Sequence, residues 1–401
     1  MNKAVILIPG VLGTKLDDSN TIDNEIIWQD IRYNFEDFER GELTFEYDNQ
    51  FFDEDFSAIV KPLRLEPLVY NEFWKRLQPN YQHKFIFPYD WRLPNEENGI
   101  KLKNFIQYLI AKSEASSRVA TITHFDIVTH SMGNMPLRYY IKENGMERIN
   151  KIAFVAPPFQ GAADAIPIFT IGQGFFFTKD EIRKMARTLP ALFELLPTYQ
   201  NYALDSETGE NINLWNKDNW QKNLIEETTD ANKNRTIQKF IANLERAKKT
   251  LTSLENWKDK LTEDEKARIL VIAKTELETL NDVVIEKQPQ DGHPANYFDY
   301  KISLKAKEGD GVVPTASSCC YYDELATYVL QNRLLEENYA HAFLLKDNRV
   351  QKMVNSFLNT DESTAEYQHN IMGRTIHRVK GFTKMYVEQD GIIHKVSKVD
   401  Y

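Results

Sequence analysis

The stretch that most limits what this chain can fold into is residues 121–140, TITHFDIVTHSMGNMPLRYY. Ile127, Val128 and Thr129 are β-branched, as in a buried strand, and residues 136–140 open a run compatible with a helix. Ser131 therefore falls on the turn between a strand and a helix. Thr129-His130-Ser131-Met132-Gly133 matches the pattern GxSxG with threonine in place of the first glycine, an exchange tolerated if the residue there stays small. At such an elbow the serine is strained, its hydroxyl stands clear of the sheet, and the following amide N–H faces the reacting carbonyl oxygen. Five residues match by chance often, so the weight of this reading rests on the rest of the chain.

The rest alternates strand and helix. Residues 4–8, AVILI, have the composition of a buried parallel strand, and Pro9-Gly10-Val11-Leu12-Gly13 is a turn that brings bare backbone forward. If that strand lies beside the one ending at Thr129, the amides of Val11 and Met132 together form an oxyanion hole; read alone, the turn is an ordinary glycine turn. Residues 17–65 are rich in acids and aromatics without a sustained period and read as an excursion over the edge of the core. Residues 66–78 read as a helix, 84–89 as a strand and 99–113 as an amphipathic helix. Pro88-Tyr89-Asp90-Trp91-Arg92 ends the middle strand in a structured loop, where Asp90 and Arg92 pair or bind backbone in a supporting role. A strand at 149–155 ends in Ala156-Pro157-Pro158-Phe159-Gln160-Gly161. Such alternation implies a mostly parallel sheet with its site at the carboxyl edge.

Residues 165–266 change character and read as a helical cap, with a solvated Lys- and Glu-rich helix face over 232–261. Strands are expected again at 268–273 and 297–304. After them, Gly309-Asp310-Gly311 places an aspartate in a tight turn suited to fixing an imidazole, although an ordinary turn aspartate would look the same. His341 lies in a loop before the helix expected at 347–358, whereas His130 reads as a packing residue. Asp126 and Asp347 compete with Asp310 for the acid, but neither comes between the serine and the histidine. The order Ser131, Asp310, His341 is that of an α/β-hydrolase, and this is the fold expected. The organisation that follows is a core over 1–164, a cap over 165–266, the second part of the core over 267–358, and a tail over 359–401 with strand-like pieces at 382–387 and 392–396.

Composition removes other classes. A net charge of −10 argues against a nucleic-acid partner. The two cysteines, Cys319 and Cys320, are adjacent and build no disulfide framework, which fits a reducing, cytoplasmic setting. The first apolar run is too short for a signal peptide, and no apolar stretch reaches the ~20 residues of a membrane-spanning helix. The remaining histidines lack metal-ligand spacing, so neither metal nor other cofactor is expected.

With these motifs in hand the chain resembles the lecithin:cholesterol acyltransferase family, which includes lysosomal phospholipases and bacterial lipase-like relatives. The resemblance rests on PGVLGTKL at 9–16, PYDWR at 88–92, THSMG at 129–133, the APPFQG loop, LLP at 195–197, GDGVVP at 309–314 and His341. It implies Ser131, Asp310 and His341 as the triad and Val11 and Met132 as the oxyanion donors. Secreted members carry signal peptides and a lid clamped by a disulfide near the first loop; this chain has no cysteine before Cys319, and it looks more like the intracellular bacterial relatives. The expected function is a serine esterase acting on phospholipid or acylglycerol esters through an acyl-serine, the alternatives being transfer of the acyl group to an alcohol or a catalytically silent binding module. Ile166, Ile168, Phe169, Ile171 and the run Phe175, Phe176, Phe177 are expected to cover the serine as an acyl tunnel. The cap would provide any transient contact with a membrane surface.

Overall fold

The computed structural model describes residues 4–18, 26–28, 44–47, 50–53, 60–77, 81–116, 120–174, 177–178, 180–226, 229, 231–288, 295–332, 338–359, 382–387 and 393–395. Six parallel strands form the centre of the main sheet: β1 (Ala4–Ile8), β2 (His83–Ile86), β3 (Phe125–His130), β4 (Ile149–Val155), β5 (Ile269–Lys274) and β6 (Ala326–Leu330). Two strands of the tail, β7 (Phe382–Val387) and β8 (Ile393–Lys395), extend one edge in antiparallel fashion. The order across the sheet is β8-β7-β6-β5-β4-β3-β1-β2. The chain thus places β2 on one side of β1 and then crosses to β3 on the other. A crevice opens outside the carboxyl ends of the strands where the order reverses, and α/β proteins bind their ligands there. Residue 9 leaves the end of β1 and Ser131 leaves the end of β3, so both loops meet at that crevice.

Alternation along the strands sends side chains to two cores. Ile6, Ile8, Phe125 and Ile127 face α2 (Asn95–Glu114) and α3 (Asn134–Asn144), whereas Val5, Leu7 and Val128 face α1 (Pro67–Arg76) and α5 (Asn348–Asn359). The spacing of Leu102, Ile106 and Leu109 puts all three on the buried face of α2. Gly99 lets α2 approach α3 closely, because a methyl group there would lie 2.6 Å from Tyr139 Cβ. Pro67 and the Glu66 side chain, which accepts the Leu68 amide at 3.1 Å, start α1.

The segment between β4 and β5 is rich in helices, the longest being α4 (Ala231–Leu254). It also holds a strand, Ala203–Asp205, that pairs with Val283–Glu286, which in turn pairs with Tyr297–Asp299. Both partners follow β5, so this small sheet draws on chain from before and after β5. The strand expected at 297–304 is three residues long. Within 17–65, where no regular structure is expected, Thr14–Asp18 pairs with Ile26–Trp28 and Val60–Leu65, and Thr44–Tyr47 pairs with Gln50–Asp53. β6 was not anticipated from the sequence.

Candidate active site

Ser131 sits at the end of β3 with φ +53°, in the left-handed region that a side chain rarely adopts. Two glycines make this geometry possible. A methyl group on Gly133 would lie 2.5 Å from the carbonyl oxygens of Ile8 and Pro9, so only glycine lets the elbow lean on the end of β1. A methyl group on Gly10 would lie 2.8 Å from Ser131 Cβ. The elbow's own carbonyl is held by Asn134 Nδ2, which donates to Ser131 O at 2.8 Å.

Three segments converge on the hydroxyl. Ser131 Oγ is 2.7 Å from His341 Nε2, and His341 Nδ1 is 2.6 Å from Asp310 Oδ2. The other oxygen of Asp310 accepts the amides of Val312 and Val313 at 3.0 and 2.7 Å, and its carbonyl accepts the His341 amide at 2.8 Å. The GDGVVP motif is therefore a turn folded around one carboxylate. Gly311 takes φ +95°, and its amide donates to Thr279 Oγ1 at 2.9 Å. The competing acids are engaged elsewhere: Asp347 is locked in a buried pair with Arg349, and Asp126 accepts from the Tyr81 hydroxyl and from Asn150 Nδ2. Ser131, His341 and Asp310 are all buried, at 6, 5 and 1% exposure, and no other carboxylate bonds His341 among the described residues.

The loop after β1 is held by side chains from two neighbouring segments. Tyr89 O–H donates to the Pro9 carbonyl at 2.8 Å, and Trp91 Nε1 donates to the Thr14 carbonyl at 3.0 Å. This is the work of PYDWR: its aromatics carry polar atoms into the core to fix backbone, while Asp90 and Arg92 form a buried two-pronged pair. On the other side Gly10 N–H donates to Tyr70 Oη at 2.8 Å. Val11 and Leu12 line a cavity of about 160 Å³ together with Ser131, His341, Val69 and Phe343. The Val11 amide has no acceptor among the described residues, and Met132 occupies the first turn of a short helix, where amides lack intrahelical partners.

A sequence model of the family described as lecithin:cholesterol acyltransferase matches residues 69–322 of this chain, well over half its length. The chain belongs to the lecithin:cholesterol acyltransferase family. Ser131, Asp310 and PYDWR lie within the matched residues; PGVLGTKL and His341 lie outside them. No curated protein matches the sequence. Among solved structures, a chain of the Tle4–Tli4 complex superposes with a TM-score of 0.62 at 13% identity, covering 89% of this chain and 98% of that one. It has the same fold, that of the α/β-hydrolases. The lin2722 gene product of Listeria innocua, at 13% identity and TM-score 0.33, covers 90% and 97% of the two chains. Phospholipase PlaB of Legionella pneumophila, at 9% and 0.32, covers 98% and 68%.

In this acyltransferase family member three of the residues expected to cover the serine pack elsewhere. Ile166, Ile168 and Phe169 are buried in the packing of the inserted layer, Phe169 lying 4.4 Å from the Phe193 ring and 5.9 Å from that of Phe240. They do not line the cavity beside Ser131. An aromatic-rich run at helical spacing packs a core as readily as it lines a tunnel, and here it packs. Phe175 and Phe176 lie outside the described residues, and of Phe177 only the backbone is described. Two residues beside Ser131 carry no signal of a role in the sequence: Tyr70 belongs to an ordinary amphipathic pattern, and His130 reads as a packing residue.

Proposed function

We propose that this protein is a serine hydrolase of lipid carboxylic esters that works through an acyl-Ser131 intermediate. One observation carries the reading: an unbroken line of short hydrogen bonds from Ser131 Oγ through His341 to Asp310, at the crevice where the strand order reverses. His341 Nε2 takes the hydroxyl proton as Oγ attacks the ester carbonyl, and Asp310 holds the opposite nitrogen in its protonated form and stabilises the imidazolium. The amides of Val11 and Met132 are the donors for the oxyanion. The imidazolium returns its proton to the departing alcohol, and water attacks the acyl-serine by the same steps in reverse order. Family membership supports an acyl-ester substrate of lipid type, and the lining by Val11, Leu12, Val69 and Phe343 supports an apolar acyl group.

The test is labelling by a fluorophosphonate, followed by peptide mapping, beside a lipid-extract assay for free fatty acid and transesterified product. The wild-type protein is expected to be labelled at Ser131 and to release fatty acid. Ser131→Ala is expected to fold, to take no label and to keep only the residual ~10³ to 10⁴ over water that binding and oxyanion donors supply. Transesterified product in excess of free acid would move the assignment to acyl transfer at the same serine. An unlabelled wild type would sink the serine assignment.

A further inference from the structure

Behind the catalytic line runs a second chain of buried hydrogen bonds. Gly10 N lies 2.8 Å from Tyr70 Oη, Tyr70 Oη lies 2.9 Å from His130 Nδ1, and His130 Nε2 lies 3.0 Å from the carbonyl oxygen of His341. Its two ends fix the direction of every proton in it. The His341 carbonyl can only accept, so His130 Nε2 must carry hydrogen. A neutral imidazole has one such hydrogen, which leaves Nδ1 as an acceptor, and Tyr70 must donate to it. Tyr70 Oη then accepts from Gly10 N–H, which can only donate. All four groups are used in the one sense the geometry permits. Burial, and the neighbouring His341, keep His130 neutral by lowering its pKa to about 3, while burial pushes the Tyr70 hydroxyl well above its usual range.

The chain joins the loop after β1, helix α1, the residue before Ser131 and the main chain of His341. Resting on the serine hydrolase reading above, we propose that Tyr70 and His130 are positioning residues that hold the oxyanion loop and the general base in a single register around Ser131. Neither touches the reacting atoms. Both border the catalytic cavity yet are only 1 and 3% exposed, so their polar atoms serve the two backbone segments rather than solvent. The His130 and His341 rings lie 5.3 Å apart, and a charged His130 would oppose the imidazolium that forms on His341; fixing His130 as a neutral donor through Nε2 avoids that opposition. Gly13 makes room for the arrangement, since a methyl group on it would lie 2.9 Å from Tyr70 Oη.

The measurement is the second-order rate constant of fluorophosphonate labelling, which needs both the base and the oxyanion donors and no knowledge of the substrate. Tyr70→Phe and His130→Leu are each expected to lower it by ~10- to 10²-fold, the loss that a displacement of about 1 Å produces. Since each breaks the same chain, the double variant should be no slower than the slower single one. His130→Gln, which offers an acceptor and a donor, should retain more of the rate than His130→Leu; a space-filling role predicts the reverse. Turnover of a p-nitrophenyl ester should fall in kcat with little change in KM. Near-ultraviolet circular dichroism checks folding, and should Tyr70→Phe not fold, the ranking of the two His130 variants decides. A labelling rate for folded Tyr70→Phe within about twofold of wild type, losses that multiply in the double variant, or His130→Leu outperforming His130→Gln would overturn the proposal. Failure of the wild type to label would instead count against the serine hydrolase reading.

Discussion

Glu194 ties the inserted layer to the core and makes that attachment depend on pH. It lies just after the short helix Pro190–Phe193, only 2% exposed, and one of its oxygens accepts the amide and side-chain nitrogen of Asn95, the first residue of α2, at 3.3 and 2.9 Å. Pro94 supplies no cap to α2, so the carboxylate acts as one from a segment 99 residues away. Its other oxygen has no partner among the described residues, and burial lifts its pKa from 4.5 to about 7 against the pull of the Asn95 hydrogen bonds. Because the folded-state value is raised, the native state binds the proton more tightly than the unfolded chain. This group's stabilising contribution is complete below about pH 4.5 and is lost as pH rises through 7. Integrated between pH 5 and pH 8, the loss is on the order of 2 to 3 kcal/mol. Glu194→Gln keeps an acceptor for Asn95 and cannot ionise, so its stability relative to wild type should rise by about that amount over the same interval. Urea denaturation of both proteins at pH 5, 6, 7 and 8, followed by tryptophan fluorescence, measures the difference. A difference that stays flat with pH would show that Glu194 titrates normally and that its burial is not felt as reasoned.

Two further outcomes follow from the site. Asp310→Asn should keep the fold while turnover falls by up to ~10⁴. The two amides at Val312 and Val313 would hold the asparagine oxygen where Oδ1 sits, aiming its NH₂ at His341 Nδ1 and forcing the wrong tautomer; unchanged kcat in a folded variant would refute this. Gly10→Ala should lower kcat/KM by ~10²-fold, because its methyl group would press on Ser131 Cβ and His130 O and must displace the oxyanion loop. Wild-type kcat/KM in that variant would show that the loop yields freely.

What the sequence made legible were features with a local signature. β1, β3, β4 and β5 declare themselves as short β-branched or apolar runs, and Ser131, Asp310 and His341 each lie next to a turn signal that follows or precedes such an element. β6 was lost because ATYVL lies only a few residues past two cysteines and two tyrosines, and five residues do not separate a buried strand from a buried helix segment. Tyr70 and His130 were lost for another reason. Their roles exist only between partners 60 and 211 residues apart, and no spacing in the chain encodes that contact. Hydrophobic composition reports burial, not what is buried against it. Ile166 and Phe169 met other side chains of the inserted layer.

The family match covers the holders of the first loop and not the loop itself. Residues 69–322 contain Tyr70, Tyr89, Trp91 and His130, whose side chains hold their neighbours, whereas the first loop lies outside them. That loop enters the polar framework through main-chain atoms: the Pro9 and Thr14 carbonyls and the Gly10 amide. The carbonyl of Gly13 likewise accepts the amide of Glu66. A backbone atom is present whatever the residue, so the contacts constrain this loop chiefly through the glycines that let it approach the elbow. Its holders must instead keep a phenol at 70 and 89 and an indole at 91, because among the described residues no other side-chain polar atom bonds these three targets.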